Sequence, residues 1–301
     1  MDEQFCELGN GVTLCYESFG AEGDAPMLLI MGLGTQMIAW PEAFCRELAA
    51  RGFYVIRFDN RDIGRSTWMS GRPPSVRELM LRRIENPPYT LSDLADDTAR
   101  LIEALDLHSA HIVGASMGGM IAQMLAVEHP DLVRSLVSIM SNTGSRFKGQ
   151  PSLSIYRYLL KAAPTECGAY VEHMLRVFNA IGSRRLSRDF ERLRATAELS
   201  FTRGLNPAGT GRQLGAIVAS GDRSAALRRI ESPTLVIHGT KDPMVNPSGG
   251  RATAAAIPGA RLLTIEDMGH DLPDEAWPQL VEAIAGHAHA AEHAPVSPAT
   301  R

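Results

Sequence analysis

The sequence predicts an α/β fold: a mostly parallel eight-stranded sheet flanked by helices, with an inserted helical cap. Three observations carry this expectation. Short β-like runs alternate with helical stretches over most of the 301 residues, the pattern of a parallel sheet covered by helices. The alternation stops between about residues 142 and 222, where only helical patterns recur. A Gly-x-Ser-x-Gly run, Gly114 to Gly118, sits where one of the strands gives way to a helix.

In chain order, a weak strand candidate near Phe5 to Leu8 precedes apolar runs at Val12 to Phe19, Met27 to Met31 and Tyr54 to Asp59. Further runs follow at Ala110 to Gly114, Val133 to Met140, Thr234 to His238 and Arg261 to Ile265. Helix-like stretches lie between them at Pro41 to Ala50, Leu91 to Leu105, Met117 to Glu128, Gly249 to Ile257 and Asp274 to Ala288. Several of these open on a cap residue or a proline. Within the insertion, Tyr170, Met174 and Phe178 recur at i, i+4 and i+8, and Phe190, Leu193 and Ala197 form a second apolar stripe. Gly286 to Arg301, rich in Ala, Pro and His without an apolar period, reads as a frayed end. The division expected is therefore a core of residues 1–141 and 223–288, a helical cap of residues 142–222 and a flexible tail of residues 289–301.

Composition removes several classes of function. At 45% hydrophobic and 21% charged the chain is globular, and its formal charge of −4 lacks the basic excess that nucleic-acid binding needs. Its apolar runs are far shorter than the roughly 20 residues of a membrane helix. The amino terminus, Met1-Asp2-Glu3-Gln4, carries acids where a secretory signal carries bases. Cys6, Cys15, Cys45 and Cys167 are scattered without a C-x-x-C pair and read as reduced thiols, so a cytoplasmic location is expected. The insertion holds 12 basic against 6 acidic residues, while the rest holds 18 against 28. That excess reads as a solvated helix face rather than an anion site. His287, His289 and His293 have no converging Cys or carboxylate and read as structural, so no metal is expected.

The chemistry concentrates at Ser116. Small residues around it suit a tight strand-to-helix turn that exposes a nucleophile. A serine hydroxyl needs a base to take its proton and a carboxylate to orient that base. Asp242 follows the strand Thr234 to His238, and His270 lies just past the strand Arg261 to Ile265. His238 lies within an apolar strand and reads as a core histidine; Asp267 and Asp271 follow the wrong strand for the acid. After the strand Val133 to Met140, Ser141-Asn142-Thr143 offers no carboxylate. Donors for an oxyanion are expected from the Met117 amide and from Leu33 in Met31-Gly32-Leu33-Gly34.

These residues, with Asp59-Asn60-Arg61-Asp62-Ile63-Gly64-Arg65-Ser66, resemble the α/β-hydrolase superfamily from about Gly9 to Ala285. More narrowly, Met31 to Gly34, Trp40 and Asp59 to Ser66 are similar to a bacterial carboxylesterase branch that includes the aclacinomycin methylesterases. The sequence departs from the common pattern twice: Met31 stands where most relatives have His, and Asp62 where glycine is usual. Asp59, Arg61 and Ser66 are expected to brace their loop through hydrogen bonds and an ion pair. The expected function is a serine carboxylic ester hydrolase working through an acyl-enzyme without a cofactor, on a small-molecule ester. Phe147, Tyr156, Phe178 and Phe201 are expected to roof an apolar or aromatic pocket. The same machinery also suits C–C bond, thioester or amide hydrolysis, perhydrolysis or acyl transfer, and a ligand-binding protein on this fold is the non-enzymatic alternative.

Overall fold

The computed structural model describes residues 3–155 and 164–293. Its strands are β1 (Gln4–Glu7), β2 (Thr13–Phe19), β3 (Ala25–Ile30), β4 (Phe53–Phe58), β5 (Ala110–Ala115), β6 (Val133–Ile139), β7 (Thr234–Gly239) and β8 (Arg261–Ile265). They form one eight-stranded sheet in the order β1-β2-β4-β3-β5-β6-β7-β8. Strand β2 runs antiparallel to both β1 and β4, and β3 to β8 are parallel. The central strands β4 and β5 are buried along their whole length, as strands covered on both faces must be.

Among the described helices, α1 (Glu42–Ala49), α2 (Val76–Leu81), α3 (Leu91–Ala104) and α4 (Met117–Glu128) lie between β3 and β6 in sequence. The inserted helices are α5 (Cys167–Ile181), α6 (Phe190–Arg203) and α7 (Pro207–Ser220). The short α8 (Ser224–Leu227), then α9 (Ser248–Ala256) and α10 (Trp277–Glu292), complete the core. One apolar cluster, with Leu28, Ile56, Ile112, Leu101 and Ile121, fills one face of the sheet. The second, with Leu29, Val55, Val113, Phe44 and Trp277, fills the other.

The expected end at Ala288 is too early, because α10 continues through Glu292. The histidines that break the apolar period are docked: the ring of His289 stacks on Phe53 at 4.7 Å, and its Nε2 bonds the Arg51 carbonyl at 3.0 Å. Buried His287 bonds the Pro233 carbonyl at 3.1 Å. Helix α2 escaped the apolar-period reading because it buries no residue; a capping box of Ser75 and Glu78 starts it instead.

The insertion's positive charge is not simply a solvated face, since several of its arginines meet core acids. Arg203 contacts Asp59 at 2.8 Å and Glu3 at 2.6 Å, and Arg192 clasps Asp274. Arg212 grips Asp62 through two hydrogen bonds of 2.8 and 2.6 Å. Asp62 also receives the Tyr89 hydroxyl at 2.6 Å and the Met69 amide at 2.7 Å. Its φ of 74° accounts for the glycine usual here, and its carboxylate explains the departure as a socket for the inserted helices. Arg61 turns the other way and pairs with Asp97 through both carboxylate oxygens, while the Ser66 hydroxyl bonds the Asp59 carbonyl at 2.6 Å.

Burial alone would raise the Asp62 carboxyl, but the hydrogen bonds from Arg212, Tyr89 and the Met69 amide outweigh it and hold it below the ordinary Asp value. A depressed folded-state pKa gives stability that is complete above the unfolded value and lost as pH falls through the folded one. Asp62→Asn keeps the shape but leaves the Arg212 guanidinium buried without its counter-charge, so unfolding free energy at neutral pH should drop by about 3 kcal/mol. Urea unfolding of both proteins should show this gap beginning to narrow below about pH 4, the ordinary Asp value, and closing only as pH falls through the lower folded-state value of Asp62. A gap independent of pH would contradict the assignment.

Candidate active site

The elbow is built by the close approach of β5, α4 and the loop after β3. Ser116 sits at φ 57° and ψ −118°, a conformation costing on the order of 1–3 kcal/mol for a non-glycine residue. A Cβ on Gly114 would lie 2.2 Å from the Gly118 carbonyl oxygen, and one on Gly118 would lie 2.0 Å from that of Ile30. No side chain fits at either position, so both motif glycines are steric requirements. The Ser116 amide is anchored to the Ile139 carbonyl at 2.9 Å, which fixes the turn against β6.

Three sequence-selected side chains converge there. His270 Nε2 lies 3.0 Å from Ser116 Oγ, and His270 Nδ1 lies 2.8 Å from Asp242 Oδ2. Asp242 is buried, and its other oxygen accepts the amides of Met244 at 2.9 Å and Val245 at 2.8 Å. With Oδ1 occupied by the loop, Oδ2 is aimed at the histidine. Ser116 and His270 remain partly exposed. The arrangement can move a proton from a hydroxyl to an imidazole whose far nitrogen is held by a carboxylate.

His238 is placed as a core residue: its Nε2 bonds the Val245 carbonyl at 2.8 Å, and burial pushes its pKa down, favouring the neutral ring. Asp271 also has a different task from its neighbour. Its carboxylate receives the Ser183 amide at 2.9 and 3.0 Å and the Ser183 hydroxyl at 2.6 Å. The Ser183 hydroxyl oxygen accepts the Gly269 amide at 2.9 Å, and the His270 amide donates to the Ile181 carbonyl at 2.8 Å. The segment leaving α5 is thereby stitched to the histidine loop on both sides of His270. Contacts across nearly ninety residues of sequence carried no local signal.

The loop after β3 closes the site from the other side. A Cβ on Gly32 would lie 3.0 Å from that of Ser116, and the Thr35 amide returns to the Gly32 carbonyl at 3.3 Å. This is a four-residue turn with Leu33 and Gly34 at its centre and Gly34 at φ 66°. Met117 is the first residue of α4, so its amide has no partner within the helix. Met31, in place of the usual histidine, is buried and its carbonyl accepts the Asn60 side-chain amide at 3.1 Å.

The four aromatic residues expected over the pocket do not act as a set. Phe147 is 88% exposed and cannot wall a pocket. Its loop is drawn tight by Gly144 against the Gly221 carbonyl and by Gly149 against Gly249. Phe201 packs on Tyr170 at 5.8 Å within the insertion's own apolar cluster. Phe178 is half-buried on α5, and Tyr156 lies outside the described residues.

Comparison with known proteins agrees with this fold. Residues 25–276 match the family model of the alpha/beta hydrolase fold. The chain is 32% identical over 313 aligned positions to rhodomycin D methylesterase DauP of Streptomyces sp. (strain C5), covering 93% of this chain and 96% of the relative. It is 31% identical to rhodomycin D methylesterase DnrP of Streptomyces peucetius, with the same coverage. A hydrolase from Pseudomonas aeruginosa PA01 superposes with a TM-score of 0.70 at 26% identity, over 97% of this chain and 99% of that one. The chain belongs to the α/β-hydrolase family, as a hydrolase related to the methylesterases.

Proposed function

We propose that the protein is a serine carboxylic ester hydrolase that works through an acyl-enzyme on an apolar or aromatic ester, with a methyl ester the favoured class. The observation that carries the reading is the continuous hydrogen-bonded line from Ser116 Oγ through His270 to Asp242, set on a strained strand-to-helix turn. Relatives named as methylesterases over nearly the whole chain support the ester as the substrate.

In this mechanism His270 donates a hydrogen bond from Nδ1–H to Asp242, leaving Nε2 free to accept the Ser116 proton. Oγ attacks the ester carbonyl carbon, and the carbonyl oxygen gains the negative charge. The amides of Leu33 and Met117 hold that oxyanion, each such donor being worth about a hundredfold or more in rate. Collapse breaks the acyl C–O bond while His270 gives its proton to the leaving alkoxide. Water then loses a proton to His270 and attacks the acyl carbon; when the intermediate collapses, Ser116 recovers that proton and the acid leaves. Nothing in this sequence of steps requires a metal or an organic cofactor. The inserted helices α5 to α7 serve as a cap over the site, carried by the links from Arg203, Arg212 and Ser183 to core loops.

Turnover of p-nitrophenyl esters should vanish in Ser116→Ala, and a fluorophosphonate probe should label the wild type on Ser116 alone. Asp242→Asn should lower kcat by about 10⁴ with little change in KM, because the amide stabilises the wrong tautomer of His270. Turnover that survives Ser116→Ala would refute the mechanism and make a ligand-binding role the better reading. Across a series of acyl chain lengths, kcat/KM should rise from acetyl to bulkier apolar esters; a strong preference for acetyl would refute the apolar pocket.

A further inference from the structure

Helix α7 meets the loop after β3 through one side chain. Gln213 is fully buried, and its amide spans two core loops: Oε1 accepts the Gly34 amide hydrogen at 3.0 Å, and Nε2 donates to the Arg61 carbonyl at 3.0 Å. Both ends of the side chain are thus used on backbone groups. Glycines allow close approaches of the helix to different parts of the core. A Cβ on Gly209 would lie 2.5 Å from the Asp62 carbonyl oxygen, and one on Gly211 would lie 2.7 Å from Pro73 Cβ. On the loop's side, a Cβ on Gly34 would lie 2.8 Å from Thr210 Cγ2.

The Gly34 amide is one peptide away from that of Leu33. In the turn from Gly32 to Thr35, neither central amide is used by the turn's own hydrogen bond. Gln213 takes one of the two and fixes its peptide plane, which limits how the preceding plane can rotate. A donor for a transition-state charge is useful only when its direction is set before the reaction, since turning it during reaction would cost the energy it supplies. The neighbouring Arg212 holds the same helix down on Asp62 but touches no part of the oxyanion loop.

We infer that Gln213 is a positioning residue that orients the Leu33 amide from the cap through its own two hydrogen bonds. The inference rests on the ester-hydrolase reading above. It assigns to the cap a part in the chemical step, beyond covering substrate. In chemical terms, Gln213 contributes to transition-state binding while contacting neither substrate nor the reacting atoms.

The test compares Gln213→Met, which keeps the length without either hydrogen bond, with Gln213→Glu, which keeps the acceptor for Gly34. Arg212→Met loosens the same helix without touching the turn. The readouts are kcat and KM per active site, titrated with a fluorophosphonate, and Ki for an alkyl trifluoromethyl ketone. That ketone adds Ser116 Oγ to its carbonyl carbon, passes the serine proton to His270 and retains an oxyanion. Gln213→Met should lower kcat by about tenfold to a hundredfold, raise Ki by the same factor and leave KM within about threefold. Gln213→Glu should recover part of both losses, while Arg212→Met lowers thermal stability with a smaller effect on kcat. The inference is overturned if Gln213→Met matches the wild type in kcat per site and Ki, or if Arg212→Met reproduces its losses in full. A ketone that forms no adduct with wild-type Ser116 would instead overturn the underlying ester-hydrolase reading.

Discussion

The structure depends on one backbone constraint, the positive-φ turn that projects Ser116 from the end of β5. A serine in that conformation is strained, and it persists only because surrounding backbone leaves no alternative. Gly114 against Gly118 and Gly118 against Ile30 are contacts at which a side chain would collide, and Gly32 lies tightly against Ser116. Three segments, β3, β5 and α4, are therefore fixed relative to each other before any catalytic group is considered. The histidine and the turn containing Leu33 are then brought to a point whose position is already set.

The second level of organisation is electrostatic. The core's acidic excess and the insertion's basic excess meet at specific pairs, Arg203 with Asp59 and Arg212 with Asp62. Both acids lie in one turn, residues 59–66, whose Ser66 hydroxyl bonds the Asp59 carbonyl. The Met37 and Arg65 amides also donate to the Asp59 side chain, at 2.7 and 3.1 Å. One short turn thus braces the core and receives the inserted helices. Buried pairs of this kind contribute less to net stability than their distances suggest, because each ion is desolvated; their larger effect is to penalise any arrangement that separates them. At the opposite side, Ser183 and Asp271 secure the loop that carries His270. The same inserted segment therefore holds two loops of the site in place.

What could be read in the sequence follows from the range of the interactions. Strand-helix alternation and the small residues around Ser116 are local signals, so the sheet and the elbow were legible. Asp242 and His270 were legible because each follows a strand, and a parallel sheet delivers the ends of its strands to one edge. Arg203, Arg212, Gln213 and Ser183 gave no such signal, since their partners lie 86 to 200 residues away. The glycines of α7 obscured its helical character because glycine disfavours helix, yet they are what lets α7 approach the core. Aromatic residues in the insertion were visible as apolar, but composition does not say which way a ring faces: Phe147 points to solvent and Phe201 into the insertion.

The central claim is that reaction proceeds through a covalent ester on Ser116. It is tested most directly by mixing the enzyme with excess p-nitrophenyl ester, quenching in acid within milliseconds and weighing the intact protein and its peptides. The account predicts a burst of p-nitrophenol approaching one equivalent when deacylation is slower, with the acyl mass on the peptide containing Ser116. A slowly deacylating ester makes that adduct accumulate. Turnover of such an ester with no acylated enzyme, or with the acyl group on another residue, would contradict the account.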